Sequence, residues 1–339
     1  MTDPLERALS DLHRQWVPDA RLGVFEVRVV PATAPAGGRT LAGVTTSRNA
    51  LAALRQLAVE FSLAVDVTLL PATTTHDAPA AIVIAALAPI LSAPATTAER
   101  VSEALHGETL DVLEQRDEWL RVRAGDGYHA WTHAGYLATG PAGWAEDWAG
   151  RARARAVSAE LRGEAGQFRL PIGAKVVLQR SGRVETADGR LWSVVSGAIR
   201  PEGEWHAAAR FVAAPEWALR WFGGAPYRWG GRTEWGIDCS GLVQATYAVR
   251  GGRLPRDSDL QLGAGSEVPL SSDGSGYRAG DVLFFAEGGR VAHAALWAGA
   301  GRIVHATIAR GGVGSDDLFG DSALARRLRD GLVGVRRIT

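Results

Sequence analysis

The stretch Tyr227-Arg-Trp-Gly-Gly-Arg-Thr-Glu-Trp-Gly-Ile-Asp-Cys239-Ser-Gly-Leu-Val243 holds the single cysteine of this 339-residue chain. Gly230, Gly231 and Gly236 break regular structure before the cysteine, whereas Leu242, Val243, Ala245, Thr246 and Tyr247 form an apolar helical pattern closed by Gly251-Gly252. A helix is therefore expected to begin at about Asp238-Cys239. The unpaired N–H groups and the positive end of the helix dipole at that point favour an anionic sulfur, so a lowered thiol pKa is expected, and the same N–H groups can bind an oxyanion. By position alone, a buried cysteine packed as a small hydrophobe reads equally well, and a general base has to come from elsewhere.

That base is found in two short apolar strands joined by the turn Gly299-Ala300-Gly301, each with one histidine. Alternation puts Val291, His293, Ala295 and Trp297 on one face of the first strand, and Ile303, His305 and Thr307 on one face of the second. Across such a hairpin the two histidines lie close. The arrangement suits a Cys–His–polar triad in which His293 takes the thiol proton and His305 orients the imidazole. Either histidine alone reads better as a core residue bonded to backbone; the pair beside the cysteine signal favours function. One cysteine and two histidines lack the close ligand spacing of a zinc site, and neither metal nor cofactor is expected.

Five ordered motifs now line up. They are Tyr-x-Trp-Gly-Gly at 227–231, Gly-x-Asp-Cys-Ser-Gly-Leu-Val at 236–243, Leu-Pro-Arg-x-Ser-x-x-Gln at 254–261, Gly-Asp-x-Leu-Phe-Phe at 280–285, and the two histidine strands. In this order the segment from Tyr227 to His305 resembles the NlpC-type cell-wall cysteine peptidases, which have a papain-like α+β fold. The resemblance implies Cys239 as nucleophile, His293 as general base, His305 as third member and the Tyr227 hydroxyl as a donor to the oxyanion. It also implies that Asp238, Ser240, Asp257 and Ser258 line the substrate cleft. On local evidence Asp238 reads equally well as a helix cap and Asp257 as a turn residue, and Trp229 reads as core. The family's His-Val-Gly-Ile-Tyr strand is His293-Ala-Ala-Leu-Trp297 here, a change of packing that leaves the catalytic set intact.

Lys+Arg and Asp+Glu are both 37, so no net field argues for nucleic acid or an anionic membrane surface as partner. The charged residues among the first twenty, from Asp3 to Asp19, leave no apolar signal-peptide core, and a cytoplasmic protein is expected. The most apolar run, Ala80 to Leu91, is too short to span a bilayer and reads as a buried strand entering the next domain. One cysteine excludes an intramolecular disulfide.

The expected chain is multidomain. Residues 1–87 read as a small N-terminal α/β domain, with helices near Pro4 to Trp16 and Asn49 to Phe61, a hairpin around Gly37-Gly38 and a strand Leu63 to Leu70. A weak repeat relates Gly107–Trp131 to Gly173–Gly197, and both copies have the composition of small β-barrels. They resemble bacterial SH3-like domains and are expected at 88–140 and 150–212, with linkers near 140–150 and 202–215. The papain-like α+β domain is expected at 215–339. This order of domains resembles the γ-D-glutamyl-L-diamino acid endopeptidases that recycle murein peptides. It implies a murein stem peptide such as L-Ala-γ-D-Glu-diaminopimelate as substrate, with Tyr128 and Glu99 of the first SH3-like domain helping to recognise a free N-terminal L-Ala; Tyr128 as a packing residue and Glu99 as a solvated charge are the competing readings. A free ammonium needs an anionic partner, for which Glu99, Asp257 and Asp238 are candidates. General peptidoglycan hydrolysis or amidase chemistry on the same fold, and a wall-binding module with a vestigial catalytic domain, are the alternatives.

Overall fold

Apolar alternation and well-capped helices account for the N-terminal unit in the computed structural model, which describes residues 3–31, 38–75 and 77–338. Asp3 caps the helix Pro4–Trp16 by accepting from the Leu5 N–H at 3.0 Å, and Ser47 caps Arg48–Glu60 by accepting from the Ala50 N–H at 3.1 Å. Leu9, Leu12, Leu54 and Ala58 of these helices meet Phe25, Val27, Val29 and Leu41 of a three-stranded sheet. In it Phe25–Pro31 and Arg39–Thr45 are antiparallel, and Ala64–Leu69 runs parallel to Arg39–Thr45. Gly37, at the tip of the expected hairpin, lies outside the described residues.

A seven-stranded sheet follows, and its edge differs from expectation. The run Ala80 to Leu91 is two strands, Ala80–Val83 and Leu87–Leu91, and the first of them pairs with both Thr109–Arg116 and Leu137–Gly140. The unit therefore takes in residues before 88. The break between the two strands has a local cause. The N–H groups of Ile84 and Ala85 both donate to the Tyr136 carbonyl, at 3.0 and 3.3 Å, while their carbonyls lie 3.1 Å from Nδ1 of the buried His106.

In the next unit Ala154–Gly163 pairs with Gly166–Leu170, Lys175–Leu178 and Leu191–Pro201, and the last pairing closes the strands into a ring. The weak repeat has a structural counterpart, since each copy holds a three-strand antiparallel meander. The expected linkers are not open chain. Residues 142–151 form the helix Ala142–Arg151, whose buried Trp148 donates its indole N–H to the Gly107 carbonyl at 2.9 Å. Residues 202–222 hold two helices, Glu202–Arg210 and Ala214–Phe222, with Trp205 and Trp217 in the main core. Tryptophan at these positions buries enough area to dock what its neighbours would leave as spacer.

The C-terminal unit is a six-stranded antiparallel sheet in the order 266–268, 332–337, 282–287, 290–299, 302–307, 312–317. Period-two alternation gives it two buried faces. Val282, Phe284, Ala294, Leu296, Val304 and Ala306 share one core with Trp217 and Phe222 of the helix Ala214–Phe222 and Leu242 and Val243 of the helix Cys239–Ala248. Leu283, Phe285, Ala295, Trp297 and Ile303 share another with Leu328 of the helix Ala323–Gly331. The sheet is thus held rigid from both sides, and the histidine strands lie in its interior. Among the described residues no helix is long and apolar enough to cross a membrane.

Candidate active site

Cys239 is the first residue of its helix because Asp238 caps it. The Asp238 carboxylate accepts from the Gly241 N–H at 2.7 Å and, through its other oxygen, from the Gly230 N–H at 2.8 Å. The glycines make this possible. A Cβ on Gly241 would lie 2.3 Å from the Gly231 carbonyl oxygen, so the loop rests directly on the first helical turn. Gly230 is left-handed, with φ +75, and a Cβ there would meet the Arg100 carbonyl at 2.8 Å.

The expected lowering of the thiol pKa is not what this setting produces. Burial, and then the negative charge of Asp238, push Cys239 up to about 12, against the opposing effect of the Ala294 and Ser240 N–H groups and of Arg256. The helix terminus does aim donors at the sulfur. The residue that caps the helix, however, sets a carboxylate beside it in a place with little water. The resting thiol therefore keeps its proton.

The turn between the histidine strands is left-handed throughout, with φ +91, +48 and +78 at Gly299, Ala300 and Gly301. Leu296 faces Val304 and Trp297 faces Ile303 across the ladder. This brings His293 Nε2 to 2.8 Å from His305 Nδ1, and His305 Nε2 lies 2.9 Å from Asp316 Oδ2. The tautomers follow from the network. An ionised Asp316 only accepts, so His305 carries its proton on Nε2 and accepts at Nδ1. His293 must then donate through Nε2–H, which leaves its Nδ1 bare. Burial, followed by the neighbouring His305 and Arg327, pushes His293 down to about 3, and burial also lowers His305 against the opposing effect of Asp316. A neutral imidazole with one free lone pair is able to take a proton from a thiol.

Asp316 was not foreseen. It sits on the strand Gly312–Asp317, where it faces Ile303 while His305 faces Gly314, so it reaches His305 diagonally. Arg310 Nε also lies 3.2 Å from its Oδ2. The available signal was strand alternation continued past the turn at Ile308–Gly311.

A cavity of about 1220 Å³ opens over Cys239 and His293, and every expected site residue except His305 lines it. His305 is fully buried behind His293. Tyr227 is half-buried, and burial followed by the neighbouring Cys239 and Asp238 raises its pKa, so its hydroxyl stays a donor. Tyr128 and Glu99 reach the cavity from the seven-stranded unit, the first buried and the second exposed. Trp229, expected in the core, is 58% exposed and lines the cavity.

Asp238 lies at the cavity wall with both oxygens already accepting two or more hydrogen bonds. Besides the backbone groups above, it receives Ser240 Oγ at 3.2 Å and the fully buried Arg256 through Nη1 at 3.1 Å and Nη2 at 2.6 Å. Arg256 also donates to Ser240 Oγ at 2.9 Å and to Ser102 Oγ of the seven-stranded unit at 3.1 Å, locking the cysteine loop to that unit. Its place in the Leu-Pro-Arg motif was visible, its role was not. A second lock is Arg232, which pairs with Glu108 at 3.0 Å. Asp257, at the cap position of Ser258–Gln261, makes no capping bond and instead meets Arg21 of the N-terminal unit at 2.9 Å.

Residues 224–329 match the NlpC/P60 family, and residues 90–134 match the bacterial dipeptidyl-peptidase Sh3 domain. A gamma-D-glutamyl-L-lysine dipeptidyl-peptidase from Bacillus subtilis (strain 168) is 43% identical over 79 residues, which are 22% of this chain and 25% of that protein, so the chain spans a quarter of that relative's length. Dipeptidyl-peptidase 6 of Lysinibacillus sphaericus is 26% identical over 244 residues, 64% of this chain and 83% of that protein. The crystal structure of an NlpC/P60 family protein from Bacillus cereus ATCC 10987 superposes with a TM-score of 0.60 at 20% identity, covering 76% of this chain and 99% of that one, and shares the fold. Cysteine above a histidine pair, on a sheet of this order and beside a β unit of this kind, agrees with those matches: the chain carries an NlpC/P60 domain, of a family of cysteine peptidases that act on peptidoglycan, together with a bacterial dipeptidyl-peptidase SH3 domain.

Proposed function

We propose that this protein is a cysteine endopeptidase that hydrolyses the γ-D-Glu–diamino acid bond of murein stem peptides with a free N-terminal L-Ala, recycling such fragments in the cytoplasm. The observation that carries this reading is the composition of one cavity: Cys239 and His293 share it with Tyr128 and Glu99 of the SH3 unit and with Asp257. A cleft walled on several sides by separate units suits a short peptide, and carboxylates in it suit an ammonium. The name of the Bacillus subtilis relative, a gamma-D-glutamyl-L-lysine dipeptidyl-peptidase, supports the same class of bond.

In the reaction, His293 Nδ1 takes the Cys239 proton as the sulfur attacks the γ-glutamyl carbonyl carbon. The carbonyl electron pair moves onto oxygen, where the Cys239 N–H and the Tyr227 hydroxyl hold it. The intermediate collapses, the C–N bond breaks, and His293 returns the proton to the leaving amine. Water then gives a proton to His293, attacks the thioester carbon and displaces the thiolate, which recovers the proton. His305 and Asp316 keep the imidazole oriented and in the right tautomer throughout. Ser240 and Ser258 offer hydroxyls to the peptide backbone.

The test is mass-spectrometric detection of products from L-Ala-γ-D-Glu-diaminopimelate and its N-acetylated form. Cleavage of the free-amine peptide alone is the expected result. Equal cleavage of both would replace this reading with general wall hydrolysis, and cleavage of neither would replace it with another acyl chemistry.

A further inference from the structure

Among the described residues the N-terminal unit reaches the catalytic cleft at Arg21. After the helix Pro4–Trp16 the chain makes a tight turn in which Asp19 accepts from the Arg21 N–H at 2.9 Å. The Arg21 carbonyl accepts from the His129 N–H at 3.0 Å, so the turn is pinned to the SH3 unit at the residue after Tyr128. From there the guanidinium extends into the cavity that holds Cys239.

All of its donor positions are engaged. Nε and Nη2 bond both oxygens of Asp19 at 3.0 and 2.7 Å, Nη1 and Nη2 bond both oxygens of Asp259 at 2.8 and 2.7 Å, and Nη1 bonds Asp257 Oδ2 at 2.9 Å. Three carboxylates share one guanidinium, which leaves the cluster with excess negative charge. Asp257 Oδ1 accepts no side-chain or backbone hydrogen bond among the described residues, whereas both oxygens of Asp238 are already occupied. Of the carboxylates bonded to Arg21 or Arg256 in the described residues, Asp257 is thus the one with a free oxygen.

We infer that Arg21 is a positioning residue: it holds Asp257 as a carboxylate with one oxygen free in the cleft, and through it the N-terminal unit takes part in recognising the cationic end of the substrate. This rests on the proposed free-amine peptide substrate. The pair is partly exposed, with side-chain exposures of 31% and 27%, so its worth to global stability is small and a functional effect is separable from unfolding. Burial raises the Asp257 carboxyl pKa, and Arg256 and Arg21 oppose that. The other charged or titratable groups facing Asp257 are Asp259 on its own segment, Asp19 beside Arg21, and Tyr128 of the SH3 unit. Removing Arg21 therefore moves Asp257 toward its neutral form, and ammonium binding fades at a higher pH than in the parent.

The experiment compares Arg21→Met and Arg21→Lys with the parent, all in a Cys239→Ala background, by calorimetric titration with L-Ala-γ-D-Glu-diaminopimelate and by carbon-detected NMR titration of Asp257. Arg21→Met should weaken binding about tenfold, the scale of one lost charge-assisted hydrogen bond, and raise the Asp257 pKa, while Arg21→Lys recovers part of both. In the active background the loss should fall on KM, with kcat little changed. An unchanged Asp257 titration overturns the inference whatever the substrate is. Tighter binding by Arg21→Met also overturns it, since Arg21 would then be a competitor for the ammonium site. If the parent fails to bind this peptide, the proposed substrate fails, and the Asp257 titration alone decides the role of Arg21.

Discussion

The wall of the cleft that carries Cys239 is buried and the wall that carries Asp257 is partly exposed; both are polar, yet their electrostatics are opposite. On the first, a protonated thiol, two neutral histidines and one distant carboxylate form a line of donors and acceptors along which a proton can be taken and returned. On the second, Arg256 with Asp238 and Arg21 with Asp19, Asp257 and Asp259 are permanent charges tied in bidentate or shared pairs. Low dielectric strengthens a fixed charge pair and penalises a lone mobile one. A wall that moves protons is therefore best kept neutral at rest, and a wall that recognises an ion is best kept charged.

The comparison is broken most directly at Cys239, the proposed nucleophile. Cys239→Ala should lower turnover by roughly 10⁴-fold or more while peptide binding measured by calorimetry is kept; an active Cys239→Ala variant would remove the mobile-proton wall from the account. On the charged wall, Arg256→Met leaves Asp238 buried without its partner and should cost about 3–5 kcal/mol in denaturant unfolding, as breaking a buried pair does. The double variant Arg256→Met with Asp238→Asn should recover part of that. A double variant as unstable as the single one would mean that packing, not charge, is what Arg256 supplies.

A smaller effect is expected at Asp316→Ala. Loss of the acceptor frees His305 to change tautomer, and kcat should drop about 10- to 100-fold with KM unchanged; a change in KM alone would move Asp316 to the recognition side. The neutral resting state predicts that alkylation of Cys239 by iodoacetamide keeps accelerating with pH from 7 to 10, since the thiol sits at about 12. A plateau below pH 7 would instead mean a preformed thiolate–imidazolium pair. A last effect, gradual along the pH axis, is on acid stability. His293 is lowered to about 3, so between that pH and its ordinary value of 6.5 the unfolded chain binds the extra proton, and stability falls as pH drops through that window. The slope is at most about 1.4 kcal/mol per pH unit for this group, and a His293→Gln variant should lack its share in acid denaturation curves.

How far each wall was legible in the sequence follows the same division. Cys239 at a helix start and His293 and His305 across a hairpin are local facts, set by glycines, a capping aspartate and period-two alternation within about seventy residues. Both linkers were misread because Trp148, Trp205 and Trp217 dock them, and docking depends on what the indole meets. The run Ala80 to Leu91 was read as one strand because nothing in its own residues marks the bend. The bend comes from Tyr136 and His106, met only in the fold.

What the sequence by itself determined is therefore the helix start at Cys239 and the hairpin that brings His293 to His305, since both rest on capping and periodicity over short stretches, while the class of fold around them was implied by the ordered family motifs. The tertiary structure alone decided three things. It brought Asp316 to His305 through a further strand pairing, and it brought Arg21 to Asp257 across 236 residues of chain. It also reversed the expected shift of the Cys239 pKa. Strand partners, ion pairs between units and the water left around a thiol are properties of surfaces that exist only once separate segments have met, and burial at that meeting outweighs what a helix terminus does locally.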